Sequence, residues 1–597
     1  APPAPPPAGQ VAVTYSLANV PLEQSTSVPP NVLVVMDDSG SMDWNMIIAG
    51  ADEQGGFYLD NSAIANNKSD AVSFVYLWDL DTNAYPPSSE YGRILPTDAA
   101  LADDEDTDNN QYGAWRARTH LFNALYYNPE VYYAPWIGQD ALNVEFGNAD
   151  PSAVRLDPVN PGETFDLLAP HSYEAKSVPE WDNNGGTENI DVVDMYIPHY
   201  YTTTSTPPLA WNDPNKQLVE IRSGAGPLGG LFPGGLNRED CAVGDNNPLD
   251  CTYAQELQNF ANYFQYYRSR EYVTKNGMGK VIAQLQDIRV GYETISNTTS
   301  KPVRDMNDLY TEGEKKALMD NVYKVDSYGG TPLRQALGRA GQIFGCETGN
   351  DCPRLADPEG FCQQNFALLF SDGYWNGGAG VPGNDDIDDD SNPFDGGRYA
   401  DGVKATLADV AMFYYENDLH TDFDNQVPVS ARDILGAPPG TFPPNDPVMH
   451  QHMKTYAISF GVSGTVDPAS IPADPMTPFA WPDPFDGPLE KIDDMLHAAV
   501  NGRGRFLSAA NPQELQAALE TAFLEFTQAA SSTSSAAFNS TSLRDGTLLY
   551  RGFYDLRDNT GELTATQVNN DGTLQPAPVW RASEQLEPAI TLPGSRV

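Results

Sequence analysis

The stretch with the clearest chemistry is Asn31–Met42, NVLVVMDDSGSM. Its first half, Val32–Met36, is a run of β-branched and aliphatic residues typical of a buried parallel strand. The strand continues into Asp37-x-Ser39-x-Ser41, at the strand end where open α/β sheets bind ligands. Carboxylate and hydroxyl oxygens suit Mg²⁺ or Ca²⁺ rather than zinc or copper. An ordinary polar turn is the alternative that this motif alone leaves open.

Two later segments offer oxygen atoms of the same kind. Thr331 follows the glycine turn in DSYGGTPLRQAL and precedes a predicted helix, and Asp372 follows a second buried strand, Phe366–Phe370. Strands alternate with helices through this part of the chain, which predicts a doubly wound parallel sheet whose loops meet at one edge. The predicted ligands of one divalent cation are therefore Asp37, Ser39, Ser41, Thr331 and Asp372.

Two other acidic segments carry carboxylates at alternate positions, as calcium-binding loops do. The first, in NDDIDDDSNPFDGG, lacks the glycine and the glutamate that complete an EF-hand loop. It predicts either a second calcium site or a solvated acidic loop. The predicted ligands of that second site are Asp386, Asp388 and Asp390. A weaker case of the same pattern is Asp79-x-Asp81-x-Asn83.

The composition excludes several classes of function. The chain has 597 residues, with 82 Asp+Glu against 34 Lys+Arg and a formal charge of −48. Such acidity disfavours nucleic acid and anionic membranes, which attract basic surfaces, and no apolar run is long enough to insert into a membrane. The sequence has no GxSxG, HExxH or Walker motif, and no nucleophile–base pair is visible. We therefore expect a binding protein rather than an enzyme.

The cysteines favour an exported protein with disulfide bonds. The first residues, APPAPPPAGQ, are expected to be the mature end left by a signal peptidase. Cys241 and Cys251 flank a short loop and are predicted to pair, because loop cysteines without histidine neighbours favour disulfides over zinc. Two of Cys346, Cys352 and Cys362 are also expected to pair. We take Cys346 and Cys362 as the candidate pair, although the sequence leaves open which cysteine is free.

Composition divides the chain into five parts. Dense turn-forming residues and poor helical periodicity follow the first metal loop for about 200 residues, which predicts a loop-rich insertion beside the metal. Its aromatic segment Tyr126–Trp136 is expected to pack in a core rather than form a sugar platform. The C-terminal β segment is expected to pair with the strand Val11–Leu17. The predicted parts are 1–30 (Pro-rich lead and first strand), 31–42 (metal strand and loop), 43–250 (insertion), 251–530 (remainder of the α/β domain) and 531–597 (linker and β segment).

The three oxygen-bearing loops together resemble a known fold. The motifs DDSGS, GGT and SDG stand in the order used by the metal-ion-dependent adhesion site of von Willebrand factor A domains. The resemblance implies an α/β, von Willebrand factor A-like parallel sheet with a large loop-rich insertion and a small flanking β segment. Ser41 and Thr331 are 290 positions apart (331 − 41), and the insertion accounts for this separation.

A narrower resemblance covers scattered blocks from Asn31 to near the C-terminus. Those blocks are similar to the N-terminal half of the PilY-type pilus-tip adhesins of type IV pili, and the tail is similar to the segment before that family's β-propeller. The propeller is not part of these 597 residues, which is expected of a fragment, a processed form or a short relative. The blocks include NFANYFQYYRSR, DIRVGYETI, GGTPLRQAL, NFALLFSDGYWNG, TLADVAMFYYENDL, HMKTYAISFGVSG and KIDDMLHAAVNGRGRFLSA.

The resemblance implies adhesion and pilus assembly at the tip of an extracellular fibre. Its implied partners are pilins or minor pilins and a host or abiotic surface, with Mg²⁺ or Ca²⁺ offering a coordination position to a partner's carboxylate. The secreted or cell-surface location follows from the same resemblance. The alternative function is a structural subunit of a filament or tip complex, held together by exchange of terminal strands.

Overall fold

A six-stranded sheet is the centre of the computed structural model. The residues that the structure describes are 28–48, 74–80, 93–103, 113–179, 187–235, 237–241, 250–296, 299–347, 351–380, 383, 385–387, 396–428, 448–530, 535–538, 548–555, 560–567 and 579–581. Those between 29 and 527 form one compact unit, and those from 528 onward belong to a second unit. No helix among them is both long and apolar enough to cross a bilayer.

The described residues form twenty strands and eight α-helices. The strands are β1 (Asn31–Met36), β2 (Phe74–Tyr76), β3 (Arg93–Ile94), β4 (Val154–Arg155), β5 (Thr164–Phe165), β6 (Pro170–Pro179), β7 (Thr187–Tyr196), β8 (His199–Thr202), β9 (Gln217–Glu220), β10 (Phe232–Pro233), β11 (Asp250–Cys251), β12 (Arg289–Thr294), β13 (Ser300–Asp305), β14 (Asn365–Ser371), β15 (Met453–Phe460), β16 (Arg503–Ala509), β17 (Ser535–Phe538), β18 (Leu548–Asp555), β19 (Thr560–Gln567) and β20 (Trp580–Arg581). The helices are α1 (Asp98–Asp103), α2 (Tyr253–Tyr266), α3 (Arg270–Gln284), α4 (Gly313–Tyr323), α5 (Leu333–Phe344), α6 (Leu407–Glu416), α7 (Pro488–Asn501) and α8 (Pro512–Ala530).

The main sheet has the order β13-β12-β1-β14-β15-β16. Its strands are parallel except β13, which pairs antiparallel with β12 at one edge. The predicted alternation of strands and helices is confirmed, although β13 was not predicted. After β1 the chain builds β12 and β13 on one side and then crosses to β14 on the other. Ligands bind in α/β sheets at such a reversal, beyond the carboxyl ends of the strands.

Helices cover both faces of the sheet. On one face Leu33 and Val35 of β1 share a core cluster with residues of α5, α6 and α7. On the other face the ring of Phe526 in α8 lies 4.8 Å from the rings of both Phe366 and Tyr456. All six residues of β1 are buried. A strand with both faces covered needs apolar residues at consecutive positions, which explains the run that follows Asn31.

The insertion is held against α2 by aromatic rings. Between β1 and α2 its described strands form two-stranded sheets only. The ring of Tyr127 lies 5.1 Å from Phe260 and 5.5 Å from Tyr263 of α2, and Trp136 lies 5.7 Å from Tyr266. These rings are buried, so the predicted packing role of the aromatic segment is confirmed.

Two buried asparagines of α2 fix the backbone of the same segment. Asn259 accepts a hydrogen bond from Tyr133 N (2.8 Å) and donates one to Val131 O (2.8 Å). Asn262 donates to Tyr133 O (2.9 Å) and accepts from Ala149 N (2.9 Å). Amides have both donors and acceptors, so they satisfy loop backbone that no sheet pairs.

The structure corrects one predicted disulfide. Cys241 and Cys251 are bonded as predicted, but Cys346 is bonded to Cys352 rather than to Cys362. Cys346 follows α5 with a φ of 60°, a left-handed turn, and its Cα lies 4.7 Å from that of Cys352. Cys362 instead ends the 3-10 helix Glu359–Cys362, where its thiol faces Glu359 O at 3.6 Å.

The second unit contains an antiparallel sheet of order β17-β18-β19-β20. The sequence pattern predicts strands at 547–556 and 562–568, and the two longest strands of this sheet lie close to those positions. The strand predicted at Val11–Leu17 lies outside the described residues, so its pairing with this sheet stays a prediction.

We expect Asn259→Ala to lower the free energy of unfolding by about 2–4 kcal/mol, because it leaves Tyr133 N and Val131 O buried without partners. Urea unfolding followed by circular dichroism measures the change. The matched control is Asn417→Ala, which removes an exposed amide at the end of α6 that donates to Phe413 O. Equal losses in the two variants would contradict the role assigned to Asn259.

We expect His199 to make the protein less stable in mild acid. Burial lowers the pKa of His199 to about 4, from an ordinary 6.5. Between these values the unfolded chain binds a proton that the folded chain does not, so the free energy of unfolding falls as pH falls, by up to about 1.4 kcal/mol per pH unit. Urea unfolding at pH 7, 6 and 5 should give a shallower slope for His199→Gln. Identical slopes would contradict this assignment.

Candidate metal centre

Asp37 is the first residue after β1, and its carboxylate is completely buried. Ser39 N donates to Oδ1 (2.7 Å) and Ser371 Oγ donates to Oδ2 (2.5 Å). Burial and the neighbouring carboxylate of Asp372 raise the pKa of Asp37 to about 7, against the lowering effect of these hydrogen bonds. A buried carboxylate whose pKa is raised by a neighbouring carboxylate is a natural place for a cation.

The two serines connect the first loop to the loop after β14. Ser39 Oγ and Ser41 Oγ are 3.2 Å apart, and Ser41 Oγ donates to Asp372 Oδ1 at 2.9 Å. The register of the sheet explains this meeting, because Met36 of β1 lies opposite Phe370 of β14. Both strands therefore end at the same level, and the residues that follow leave the sheet together.

The glycine turn before Thr331 is bound directly to the first loop. Gly40 N donates to Gly329 O (3.2 Å), and Tyr328 N donates to Asp38 O (2.8 Å). Gly329 has a φ of 95°, and a Cβ there would clash with Ser296 Oγ. The turn therefore needs glycine both for its backbone conformation and for the close contact.

Asn376 fixes the position of Thr331. Thr331 N donates to Asn376 Oδ1 (3.0 Å), and Asn376 N donates to Thr331 O (2.9 Å). Thr331 is buried, and it lines the same cavity as Ser41 and Asp372. The structure thus brings together all five residues that the sequence predicted as ligands.

Arg270 belongs to this site but was missed in the sequence. Its Nη1 donates to Asp372 Oδ2 at 2.7 Å, its Nε donates to Met46 O at 2.9 Å, and its guanidinium lies 5.1 Å from the ring of Trp44. The helical spacing of apolar residues over 253–286 predicts a single long helix, but the chain has two helices with a break at 267–269. Arg270 is the first residue of α3, and the Ser269 N-cap is the signal that could have placed it there.

A cavity of about 260 Å³ opens above these groups. Ser41, Thr331 and Asp372 line it, while Asp37 and Ser39 are buried. Its other walls include Trp44, Tyr374, Val462 and Lys491. Of the described residues of the predicted insertion, Trp44 is the one that reaches the cavity.

The donor set fits a hard divalent cation. It consists of two carboxylates and three hydroxyls, which are oxygen ligands of the kind that Mg²⁺ and Ca²⁺ prefer. Among the described residues, neither histidine nor cysteine lines the cavity, and those would be expected for zinc or copper.

The other predicted calcium loops are only partly described. Asp386 is described, but Asp388 and Asp390 lie outside the described residues. Asp79 is described, whereas positions 81 and 83 are not. Burial and the carboxylate of Asp401 raise the pKa of Asp386 to about 9. Asp386 therefore lies close to carboxylates, such as that of Asp401, that do not belong to the predicted calcium loop.

No family model matches the chain. Part of the chain does match type IV pilus biogenesis factors PilY1 of Pseudomonas aeruginosa. The factor of strain PAK is 28% identical over 304 residues, which are 46% of this chain and 26% of the relative. The factor of strain PAO1 is 28% identical over 305 residues, 45% and 26% of the two chains, and that of strain UCBPP-PA14 is 27% identical over 321 residues, 48% and 27%.

The chain is related to the PilY-type biogenesis factors. The relation is distant and partial, since the match spans about a quarter of the relatives' own length. Two crystal structures of the pilus adhesin SpaC of Lactobacillus rhamnosus GG match at 11% identity and cover 49% of this chain and 34% of SpaC. Their TM-scores of 0.24 and 0.25 are too low to indicate a shared fold.

We expect Arg270→Met to lower the free energy of unfolding in EDTA by about 3–5 kcal/mol, because Asp372 keeps a buried charge without its partner. The methionine retains length for packing against Trp44. Urea unfolding measures the change. The control is Arg222→Met, which removes an exposed ion pair with Glu220 and should cost at most about 1 kcal/mol. A loss no larger than that of the control would contradict the pairing.

Proposed function

We propose that this chain is a type IV pilus-associated adhesin and assembly factor that binds its partner through a divalent metal ion. The proposal rests on one observation. Oxygen ligands from three loops, including Asp372, meet beyond the carboxyl ends of β1 and β14. The relation to PilY-type factors supports the pilus association. Binding rather than catalysis is part of the proposal.

A von Willebrand factor A-like fold is part of the same proposal. It is supported by the strand order, with β1 in the middle of the sheet and an antiparallel strand, β13, at the edge. It is also supported by the separate loops that bring Ser41, Thr331 and Asp372 to one cavity.

Mg²⁺ or Ca²⁺ would be held by Asp37, Ser39, Ser41, Thr331 and Asp372. When bound, the ion supplies an open coordination position that a partner's carboxylate can fill. The chain itself limits the negative charge it offers, because Arg270 already engages Oδ2 of Asp372 and Ser371 engages Oδ2 of Asp37. A site with weakened anionic ligands leaves more of the ion's charge for the partner.

The cavity favours an acidic partner group. Lys491 lines its wall, partly exposed, with its ammonium 5.3 Å from the ring of Trp375. A cation at this position attracts a carboxylate that approaches the ion. We therefore propose pilins or minor pilins, or a host or abiotic surface, as partners outside the cell. Export by a cleaved signal peptide belongs to the same proposal.

One feature favours the alternative of a structural subunit joined by strand exchange. In the described part of the second unit β19 spans eight residues, but β20 pairs with only two of them, Thr564 and Ala565. An incompletely paired strand can accept a strand from another chain. Light scattering with and without residues 1–28 tests this: a larger mass for the full chain supports exchange, and equal masses oppose it.

We expect Asp37→Ala and Thr331→Ala each to weaken the binding of Mg²⁺ or Ca²⁺ by at least about tenfold, because each removes a ligand or its charge. Isothermal titration with each metal alone measures the affinity. The attachment of the purified protein to a surface should require the divalent ion and should fall in both variants.

The matched control for this experiment is Asp422→Ala, which removes a carboxylate that is 63% exposed and paired with Arg354. It should leave both metal affinity and attachment unchanged. Circular dichroism verifies that each variant is folded. Folded Asp37→Ala protein with normal metal affinity would refute the metal site, and normal attachment in EDTA would refute metal-dependent adhesion.

A further inference from the structure

A second group of buried polar side chains lies outside the site described above. It contains Asp386 and Asp401, from the segment between β14 and α6, and His497 and Asn501, four residues apart on one face of α7. Ligand atoms of the two aspartates and the histidine all lie within 4.8 Å of one another. The side chains of Asp386, Asp401 and His497 are 0%, 5% and 2% exposed.

His497 has a fixed orientation and a ring nitrogen that faces a carboxylate. Its Nε2 donates to Tyr399 O at 2.7 Å, and Trp481 stacks on the ring at 4.0 Å with an interplanar angle of 12°. In the neutral ring Nδ1 is then an acceptor, and it lies 3.5 Å from Asp401 Oδ2. Two acceptors that face each other in a buried place require a proton or a cation between them.

Asn501 reaches the same group with its side-chain amide. Its Nδ2 donates to Asp386 Oδ2 at 3.3 Å, and the residue is completely buried. Its Oδ1 is buried without a hydrogen-bond partner among the described residues. An unpaired amide oxygen in such a place costs free energy. A half-turn of the amide would place Oδ1 beside Asp386, where a metal ion would satisfy it.

Neighbouring aspartates do not compete for the role of ligand. Asp409 accepts hydrogen bonds from Asp385 N and Thr406 N, and Asp494 accepts from Leu407 N and Ala408 N. These two carboxylates therefore serve the N-terminus of α6. They add negative charge to the region, and the ring nitrogens of His497 lie 3.6 Å from Asp386 and 3.5 Å from Asp401.

We propose that Asp386, Asp401 and His497, with the amide oxygen of Asn501, bind one divalent transition-metal ion, Mn²⁺ or Zn²⁺. Carboxylates with one imidazole suit these ions, whereas Mg²⁺ and Ca²⁺ prefer oxygen alone. The ring nitrogen available to the metal is Nδ1, and its 3.5 Å separation from Asp401 Oδ2 is long for a hydrogen bond. It resembles the spacing of neighbouring ligands that each lie about 2.1 Å from one metal.

This centre differs from the calcium loop that the sequence predicted. It shares Asp386 with that prediction, but its other ligands come from residues 401, 497 and 501. The ion would fasten the segment that follows Asp372 to α7, the helix that also carries Lys491 of the first cavity. The second ion would therefore hold in place the backbone that positions the first centre.

The test is equilibrium dialysis of the purified chain against Mn²⁺ alone, followed by metal analysis. Mn²⁺ can occupy both centres, so the measurements use Asp37→Ala protein, in which the first centre is disabled. We expect one Mn²⁺ per chain in Asp37→Ala protein, and at least about a tenfold weaker affinity after addition of His497→Gln or of Asp401→Asn. Asp37→Ala protein with His171→Gln, a histidine outside the cluster, is the control and should retain the ion.

The outcomes separate this proposal from the proposed function. Asp37→Ala protein that binds no Mn²⁺, or that binds it equally well after His497→Gln, overturns the second centre. Asn501→Ala, which keeps both carboxylates and the imidazole, gives an independent check that should also weaken binding. Whether attachment depends on Mg²⁺ or Ca²⁺ is measured separately, by comparing wild-type with Asp37→Ala protein. That result does not affect this test.

Discussion

Two carboxylates placed side by side in the protein interior are the constraint on which the cavity depends. Asp37 and Asp372 leave adjacent parallel strands at the same level, because β1 and β14 are paired in register. Each would be costly to bury alone. The surrounding groups all reduce that cost: hydroxyls of Ser41 and Ser371, the backbone N–H of Ser39, and the guanidinium of Arg270.

The pairing of β1 with β14 must also tolerate the long insertion that separates these strands in the chain. The cost of closing a loop grows only slowly with its length, and the insertion binds to α2 through its own aromatic rings and backbone. Asn259 and Asn262 supply hydrogen bonds where the insertion has no extended sheet. The strands on either side therefore keep their register, and the ends of β1 and β14 stay together.

Much of this arrangement could be predicted from local patterns. Consecutive apolar residues indicate strands such as β1 because burial on both faces requires an uninterrupted apolar run, and Asp37, Thr331 and Asp372 follow predictable strand and turn ends. Contacts made across the fold leave no such trace. Arg270 depends on a helix break of three residues, and the partner of Cys346 depends on a left-handed turn.

The second group of polar residues shows the same limit more clearly. Asp401 and His497 are 96 positions apart (497 − 401), and only the packing of α7 beside the segment before α6 brings them together. The acidic pattern at 386–390 contains one member of the cluster, Asp386. The pattern does not predict the imidazole of His497, since no local spacing connects the two.

The break between α2 and α3 has a consequence for how the unit responds to load. Asn259 grips the insertion, and Arg270 stands eleven residues later (270 − 259) on the next helix, with its guanidinium on Asp372. The insertion and the sheet are thus joined through the short segment 259–270, which contains the break between α2 and α3. Force applied to the insertion would therefore reach the Asp372 carboxylate through this segment as well as through β1, which precedes the insertion in the chain.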